Sequence, residues 1–253
     1  MKALLFDVGN TRLKWGVADD GEIHRTGSIT HEKIRESGLS ALTTRLPKAV
    51  DAAIACNVAG PTFATRLAGV VGAHCGCDLH FAKTERSAFG VNNSYRQPRR
   101  MGVDRWVAMI GAWAELQSAC LIVDAGTAVT IDAIDAEGDH LGGQILPGIF
   151  MMADALASKT SDIPATRPTA AASFEGVAMF ARNTRNAVAS GALGAVAGAV
   201  ERAIRTLRSN AYDATVVLTG GDASRILTAL EESPLHRPNL VMQGLVQMLE
   251  GRR

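Results

Sequence analysis

Two stretches of this chain, 117 residues apart (Asp7 to Asp124), follow one plan. The first is LLFDVGNTRLKWGV, residues 4–17; the second is ACLIVDAGTAVTIDAID, residues 119–135. At that offset Leu4 falls on Leu121, Asp7 on Asp124, Gly9 on Gly126, Asn10 on Thr127 and Gly21 on Gly138. In each, an apolar strand ends in Asp-x-Gly and a small polar residue, then a second extended segment and a glycine turn follow. One Asp-x-Gly is an ordinary turn signal. Two of them at equivalent places in two half-chains point to duplication. The 253 residues have room for two such halves. We therefore expect an α/β protein of two similarly built domains, 1–116 and 117–253.

The remaining pattern alternates strands and helices. Residues 32–46 read as a helix, 51–58 as a small-residue apolar strand, 62–74 as a helix and 78–83 as extended. In 104–117, Trp106, Met109, Ile110 and Trp113 recur at helical spacing. Residues 158–173 read as irregular, 183–208 as a long helix, and 214–223 as a buried strand ending in Gly220-Gly221, with a terminal helix after it. Leu193, Val196, Val200, Ala203 and Leu207 form an apolar stripe on the long helix. Gly194 and Gly198 would admit a second helix closely, either within the same core or from another subunit.

Composition excludes several classes. With 26 basic and 25 acidic residues, a net charge of +1 leaves no footprint for nucleic acid or an anionic membrane. The cluster Arg96, Arg99, Arg100 reads as a solvated loop. No signal peptide is expected, since Asp7 interrupts the first apolar run. The low-charge stretch 186–200 is shorter than the ~20 residues of a span. A soluble, cytoplasmic protein is expected. Cys56, Cys75, Cys77 and Cys120 then read as reduced thiols. His74, Cys75, Cys77 and His80 could alternatively be zinc ligands, but their spacing matches no common structural zinc pattern.

The chain has neither a Gly-x-x-x-x-Gly-Lys-Ser/Thr run nor a Gly-x-Gly-x-x-Gly after a strand. It has three strand ends with small polar turns: Asp7-Val-Gly-Asn-Thr, Asp124-Ala-Gly-Thr and Thr219-Gly-Gly-Asp222. Ligands of α/β sheets bind at the carboxyl ends of strands. Glycine lets backbone N–H groups approach phosphate oxygens. Asn10 and Thr11 add neutral donors, and Lys14 adds a charge. Carboxylates beside phosphates need a cation between them, and Mg²⁺ held by one or two carboxylates plus phosphate oxygens is the expected arrangement.

The paired turns resemble the phosphate motifs of the acetate/sugar kinase, heat-shock ATPase and actin superfamily. SYRQPRRMGVDRW (94–106), DAGTAVTID (124–132), GGQILPGIFMMADAL (142–156) and RNTRNAVASG (182–191) together resemble the type III pantothenate kinases. Gly102-Val103-Asp104-Arg105 is the most diagnostic piece. Arg182, where Lys is expected before Asn-Thr, and Met101, where Leu is usual, are mild departures. The resemblance implies two duplicated ribonuclease-H-like, actin-like ATPase domains with mixed sheets and an interdomain cleft. It also implies ATP-dependent phosphorylation of pantothenate to 4′-phosphopantothenate, the first step of coenzyme A biosynthesis. ATP would contact Asp7, Val8, Gly9, Asn10, Thr11, Arg12, Leu13, Lys14 and Thr127, with Mg²⁺ facing Asp7. A monovalent cation, K⁺ or NH₄⁺, is implied near Asp124. Pantothenate would contact Tyr95, Gly102, Val103, Asp104, Arg105 and Thr184, the last across a homodimer interface.

By resemblance Asp104 is the base that accepts the substrate hydroxyl proton; spacing alone favours a helix cap. Arg105 suits a carboxylate, against the alternative of a surface ion pair. Two rival functions stand beside this one. One is a related kinase with another hydroxy-acid acceptor. The other is a non-catalytic regulator like the Bvg accessory factors, which the near-neutral charge and intact turns disfavour.

Overall fold

A computed structural model describes residues 1–161, 163 and 178–251. Most of the 158–173 stretch lies outside these. The chain divides into two compact units, Met1–Gln117 with Leu240–Arg253, and Ser118–Asn239.

The first unit runs β1 (Lys2–Val8), β2 (Arg12–Asp19), β3 (Glu22–Thr30), α1 (His31–Ser37), β4 (Ala52–Asn57), α2 (Pro61–Cys75), β5 (Leu79–Phe81), the small hairpin β6 (Ser87–Ala88) and β7 (Val91–Asn92), and α3 (Val103–Leu116). Its main sheet has the order β3-β2-β1-β4-β5. β1 and β2 pair antiparallel, as do β2 and β3, while β1/β4 and β4/β5 are parallel. Leu4, Leu5 and Phe6 are fully buried, as are Ala53, Ile54, Ala55 and Cys56 on β4. An unbroken apolar run is what a strand covered on both faces requires.

The second unit repeats the plan: β8 (Cys120–Ala125), β9 (Ala128–Ile134), β10 (His140–Pro147), α4 (Ile149–Lys159), α5 (Thr184–Ser209), β11 (Thr215–Thr219), α6 (Ala223–Leu227) and β12 (Leu235–His236). Its sheet order is β10-β9-β8-β11-β12, with the same directions at each corresponding pair. The echo in the sequence is thus a repeated five-stranded topology. By length and composition α5 could cross a membrane, yet 56% of its most apolar window is buried. Its Leu193, Val196, Val200 and Ile204 lie in the core with β8, β9 and β11.

Three readings change. The chain closes with α7 (Leu240–Glu250), and this helix belongs to the first unit, so the second half is not 117–253 but ends at Asn239. The reason lies in α3, where every residue from Arg105 to Ala112 is buried and a second helix must cover it. α7 does so at two glycines. A Cβ on Gly111 would lie 2.6 Å from the Leu240 carbonyl, and one on Gly244 would strike the Val107 carbonyl. Second, the helix read over 32–46 ends at Gly38, whose φ of +77° breaks it; a short 3-10 turn, Leu39–Leu42, follows. Third, Gly194 and Gly198 admit no helix from this core: a Cβ on either meets nothing within 4 Å among the described residues.

Candidate active site

The β1–β2 hairpin builds the first polar turn. Asp7 is the cross-strand partner of Lys14, and Lys14 Nζ stands 3.7 Å from Asp7 Oδ2. The Gly9 amide donates to the Arg12 carbonyl at 3.1 Å, which closes the turn. Asn10 and Thr11 are exposed, and Lys14 is half-buried. Val8 and Leu13 are fully buried in the core, so only their backbone can face a ligand. The Arg12 guanidinium bonds the Ser28 hydroxyl on β3 at 3.1 Å.

Asp7 is held in a state that a cation would relieve. Its side chain is 15% exposed. Burial pushes its pKa above the ordinary carboxylate value, Asp104 pushes the same way, and the Lys14 ammonium opposes without cancelling the rise. A carboxyl whose folded pKa exceeds its unfolded one destabilises the fold once ionised. That cost is complete above the folded pKa and gone below the unfolded value. Asp7→Asn should therefore raise the melting temperature of the ligand-free protein by a few degrees at pH 7. The gain should shrink toward nothing as pH falls to about 3.8, the ordinary carboxylate value. A pH series of thermal melts checks this; an unchanged or lower melting temperature at pH 7 would mean the Lys14 pair outweighs burial.

The second cluster sits where α3 begins. The N-cap is Gly102, so Asp104 lies inside the first turn and is not the cap. Its Oδ1 accepts the Arg105 amide at 2.9 Å. A Cβ on Gly102 would come 2.5 Å from that Oδ1, so only glycine leaves the carboxylate where it is. Arg105 is 5% exposed, which removes the surface ion pair. Its Nη1 donates to the Tyr95 hydroxyl at 2.9 Å, and its guanidinium lies 5.7 Å from the Tyr95 ring centroid. Asn93 and Thr84, both buried, brace this loop. Asn93 Oδ1 accepts the Tyr95 amide at 2.9 Å, and the Thr84 hydroxyl donates to the Met101 carbonyl at 3.1 Å.

In the second unit, Asp124 ends β8, half-buried, and Thr127 is exposed. The Gly126 amide donates to the Ala128 carbonyl at 3.0 Å, two residues on, where the Gly9 amide reaches three residues on to Arg12. Gly148 fastens this turn by donating to the Thr127 carbonyl at 3.0 Å; a Cβ there would lie 2.5 Å from that oxygen. The Asp222 amide bonds the Ala125 carbonyl at 2.9 Å, so the Gly-Gly turn after β11 locks onto the end of β8. Arg225 adds a pair unread in the sequence, donating to Asp222 at 2.8 Å with its guanidinium 5.3 Å from the Phe150 ring centroid. Thr184 is the exposed first residue of α5, behind Asn183, whose side chain caps the helix through the Asn186 amide.

The structure thus brings Asp7, Lys14, Asp104, Arg105 and Tyr95 into one unit, and it places Asp124, Thr127 and Thr184 in the other. No group of three or more His, Cys, Asp or Glu suited to a metal occurs among the described residues. The Cys75 thiol donates to the Pro47 carbonyl at 3.2 Å, and a His74 ring nitrogen meets the Leu46 carbonyl at 3.3 Å; these side chains fasten α2 to the 46–47 segment. Burial raises the pKa of Cys75 and Cys77 and pushes Cys120 up to about 12, so all three stay as thiols at neutral pH.

Comparison with known proteins agrees with this layout. A proposed N-acetylmannosamine kinase from Listeria monocytogenes superposes with a TM-score of 0.54 at 15% identity, each chain covered completely. A Campylobacter jejuni protein proposed as a Baf family transcriptional activator superposes at 0.61 with 18% identity, over 98% of each chain. At such identities the likeness shows the fold alone, the duplicated ribonuclease-H-like plan of actin-like ATPases and sugar kinases. A type III pantothenate kinase from Azoarcus sp. (strain BH72) is 40% identical over 244 residues, 96% of this chain and 88% of its own. The family model described as type III pantothenate kinase matches residues 3–206, and with that span and that relative the chain belongs to the type III pantothenate kinases.

Proposed function

We propose that this pantothenate kinase uses Asp104 as its general base and the Asp7–Lys14 turn to hold ATP phosphates. As a member of its family the chain phosphorylates pantothenate at the expense of ATP. The observation that carries the residue assignment is Asp104 itself. It is not the cap of α3, it sits near enough to Asp7 to raise that group's pKa, and it adjoins the buried Arg105–Tyr95 pair. Oδ1 is engaged by the Arg105 amide, which leaves Oδ2 for a substrate hydroxyl. The hydroxyl oxygen attacks the γ-phosphorus, the bond to the bridging oxygen breaks, ADP leaves, and the hydroxyl proton passes to Asp104. A buried guanidinium held by a neutral phenol suits the pantothenate carboxylate, with Gly102 and Val103 lining the same helix start.

Asp7 fits a divalent cation, being a desolvated carboxylate whose charged form the protein alone disfavours. Mg²⁺ bound with ATP would neutralise charge on the phosphate oxygens there. The amides of Gly9, Asn10 and Thr11 and the Lys14 ammonium would meet the phosphates, with Val8, Arg12 and Leu13 contributing backbone. In the second unit Thr127 would contact ATP, and the half-buried Asp124 would hold K⁺ or NH₄⁺. The test is phosphorylation of pantothenate by ATP and Mg²⁺ in Na⁺, K⁺ and NH₄⁺ buffers. Turnover at least tenfold faster with K⁺ or NH₄⁺ is expected; equal rates in all three would remove the monovalent site.

A homodimer, with Thr184 serving the partner's pantothenate, is supported by one face of the second unit. Met179 and Phe180 are 81% and 86% exposed, and the Ser190 hydroxyl holds them beside α5 through the Met179 carbonyl at 2.8 Å. Gly191, Gly194 and Gly198 leave that helix open to a neighbour. Light scattering should read twice the 26.6 kDa chain mass; a monomer at micromolar concentration would sink the idea. Four free cysteines fit a cytoplasmic, reducing location.

A further inference from the structure

The second polar turn is held at both ends by segments distant from it in sequence. The Asp222 amide donates to the Ala125 carbonyl at 2.9 Å, and the Gly148 amide donates to the Thr127 carbonyl at 3.0 Å. Asp222 is the N-cap of α6, behind β11, and Gly148 is the N-cap of α4, behind β10. Arg225 joins these two holders. Its Nη1 donates to Asp222 Oδ1 at 2.8 Å, and its guanidinium lies 5.3 Å from the ring centroid of Phe150, two residues after Gly148. The ion pair is largely sheltered, with the Arg225 side chain 22% and that of Asp222 16% exposed. Ala223 and Ile226 of α6 are buried in the core of this unit, which seats the short helix that carries the arginine.

We propose that Arg225 is a positioning residue for ATP: by tying Asp222 to Phe150 it keeps both holders, and with them the turn from Asp124 to Thr127, in one arrangement before nucleotide arrives. The proposal rests on the reading that this turn contacts ATP. Two main-chain bonds fix the turn only as firmly as the segments that supply them. β11 lies on one side of β8, and β10 comes from beyond β9 on the other. The β11 side fits tightly, since Gly220 has a φ of +99° and a Cβ there would strike the Ala125 carbonyl. The Thr127 end hangs on α4, and Arg225 is what joins α4 to the β11 side. Without that tie the Thr127 end would have to be ordered on binding. Preorganisation removes that cost from the binding free energy. Arginine suits the link because a guanidinium can meet a ring with its face and a carboxylate with its N–H edge.

The test compares the full-length wild type with Arg225→Met and Thr127→Ala. Methionine keeps an apolar stem against Phe150 and loses the charge and the N–H donors. We expect Arg225→Met to raise the KM for ATP about 3- to 10-fold, the range that one part-buried ion pair and one cation–π contact supply. The KM for pantothenate should stay as in the wild type. Hydrogen exchange followed by mass spectrometry gives a second readout, apart from activity. In nucleotide-free Arg225→Met, residues 124–128 should exchange faster than in the wild type, and saturating ATP should remove the difference. If Thr127→Ala raises the KM for ATP and Arg225→Met does not, the positioning role is overturned while the ATP turn stands. If neither variant moves it, the ATP reading of the turn falls and the role of Arg225 with it. A raised KM for ATP with unchanged exchange at 124–128 would also overturn positioning, since Arg225 would then act on the nucleotide directly. An Arg225→Met protein with a lowered melting temperature and both KM values raised together would show a structural role only.

Discussion

Asp104→Asn should turn over pantothenate about 10²- to 10⁴-fold more slowly than the wild type, the span a positioned general base supplies, while folding normally and binding ATP as before. The substitution is nearly isosteric. The asparagine oxygen can still accept the Arg105 amide that Oδ1 accepts at 2.9 Å. Gly102 remains the N-cap, so α3 starts where it did. What is lost is an atom able to take a proton. The defect should appear in kcat, with the KM for ATP unchanged, because the phosphate turn is built by β1 and β2 and not by α3. The ligand-free protein should be no less stable, since Asp104 is one of the charges that raise the pKa of Asp7 and removing it eases that carboxylate. Steady-state kinetics in both substrates and a thermal melt check the three expectations. Turnover near the wild-type rate would remove Asp104 as the base, and a lower melting temperature would show that its main work is at the helix start.

The parts of the fold that were legible are those where burial writes a pattern. β1, β4, β8 and β11 are covered on both faces and read as unbroken apolar runs. β3 lies at the edge of its sheet with one buried residue, and it carries the exposed Glu22, His24, Arg25 and Thr26, so it has no such signature. The return of α7 to the first unit was illegible for another reason. Its apolar face says that it packs, but nothing in its period says against what. Glycines carry the same ambiguity. Gly194 and Gly198 attracted notice on a long helix, whereas the close approach is at Gly111 and Gly244, which sit in less conspicuous surroundings. In the site, the repeated Asp-x-Gly turns were readable because duplication printed them twice. Asp104 was readable from spacing only as a cap; the structure puts Gly102 in that place and leaves the carboxylate to be explained by chemistry. The Arg105–Tyr95 pair needed the resemblance, because a contact between residues ten apart through a loop has no period.

Gly244→Ala is expected to lower the melting temperature by about 6–12 °C. The added methyl would strike the Val107 carbonyl, with Val107 Cγ1 2.9 Å away as well. Backbone cannot rotate aside as a side-chain end can, so α7 must move off α3. Overpacking of this kind costs about 3 kcal/mol at the upper end of its usual range, and ~1 kcal/mol shifts a chain of this size by about 2–4 °C. The consequence should reach the site, because α3 is the helix that carries Asp104 and Arg105. Folded Gly244→Ala protein should therefore show a lower kcat and a higher KM for pantothenate, with the KM for ATP least affected. Gly69→Ala on α2 is the matched control. A Cβ there meets nothing within 4 Å, and replacing an exposed mid-helix glycine by alanine stabilises by roughly 0.5–1 kcal/mol. The two alanines should move the melting temperature in opposite directions. If both raise it, the α3–α7 crossing has slack, and the last helix is a cover for the first unit rather than the element that sets the height of α3.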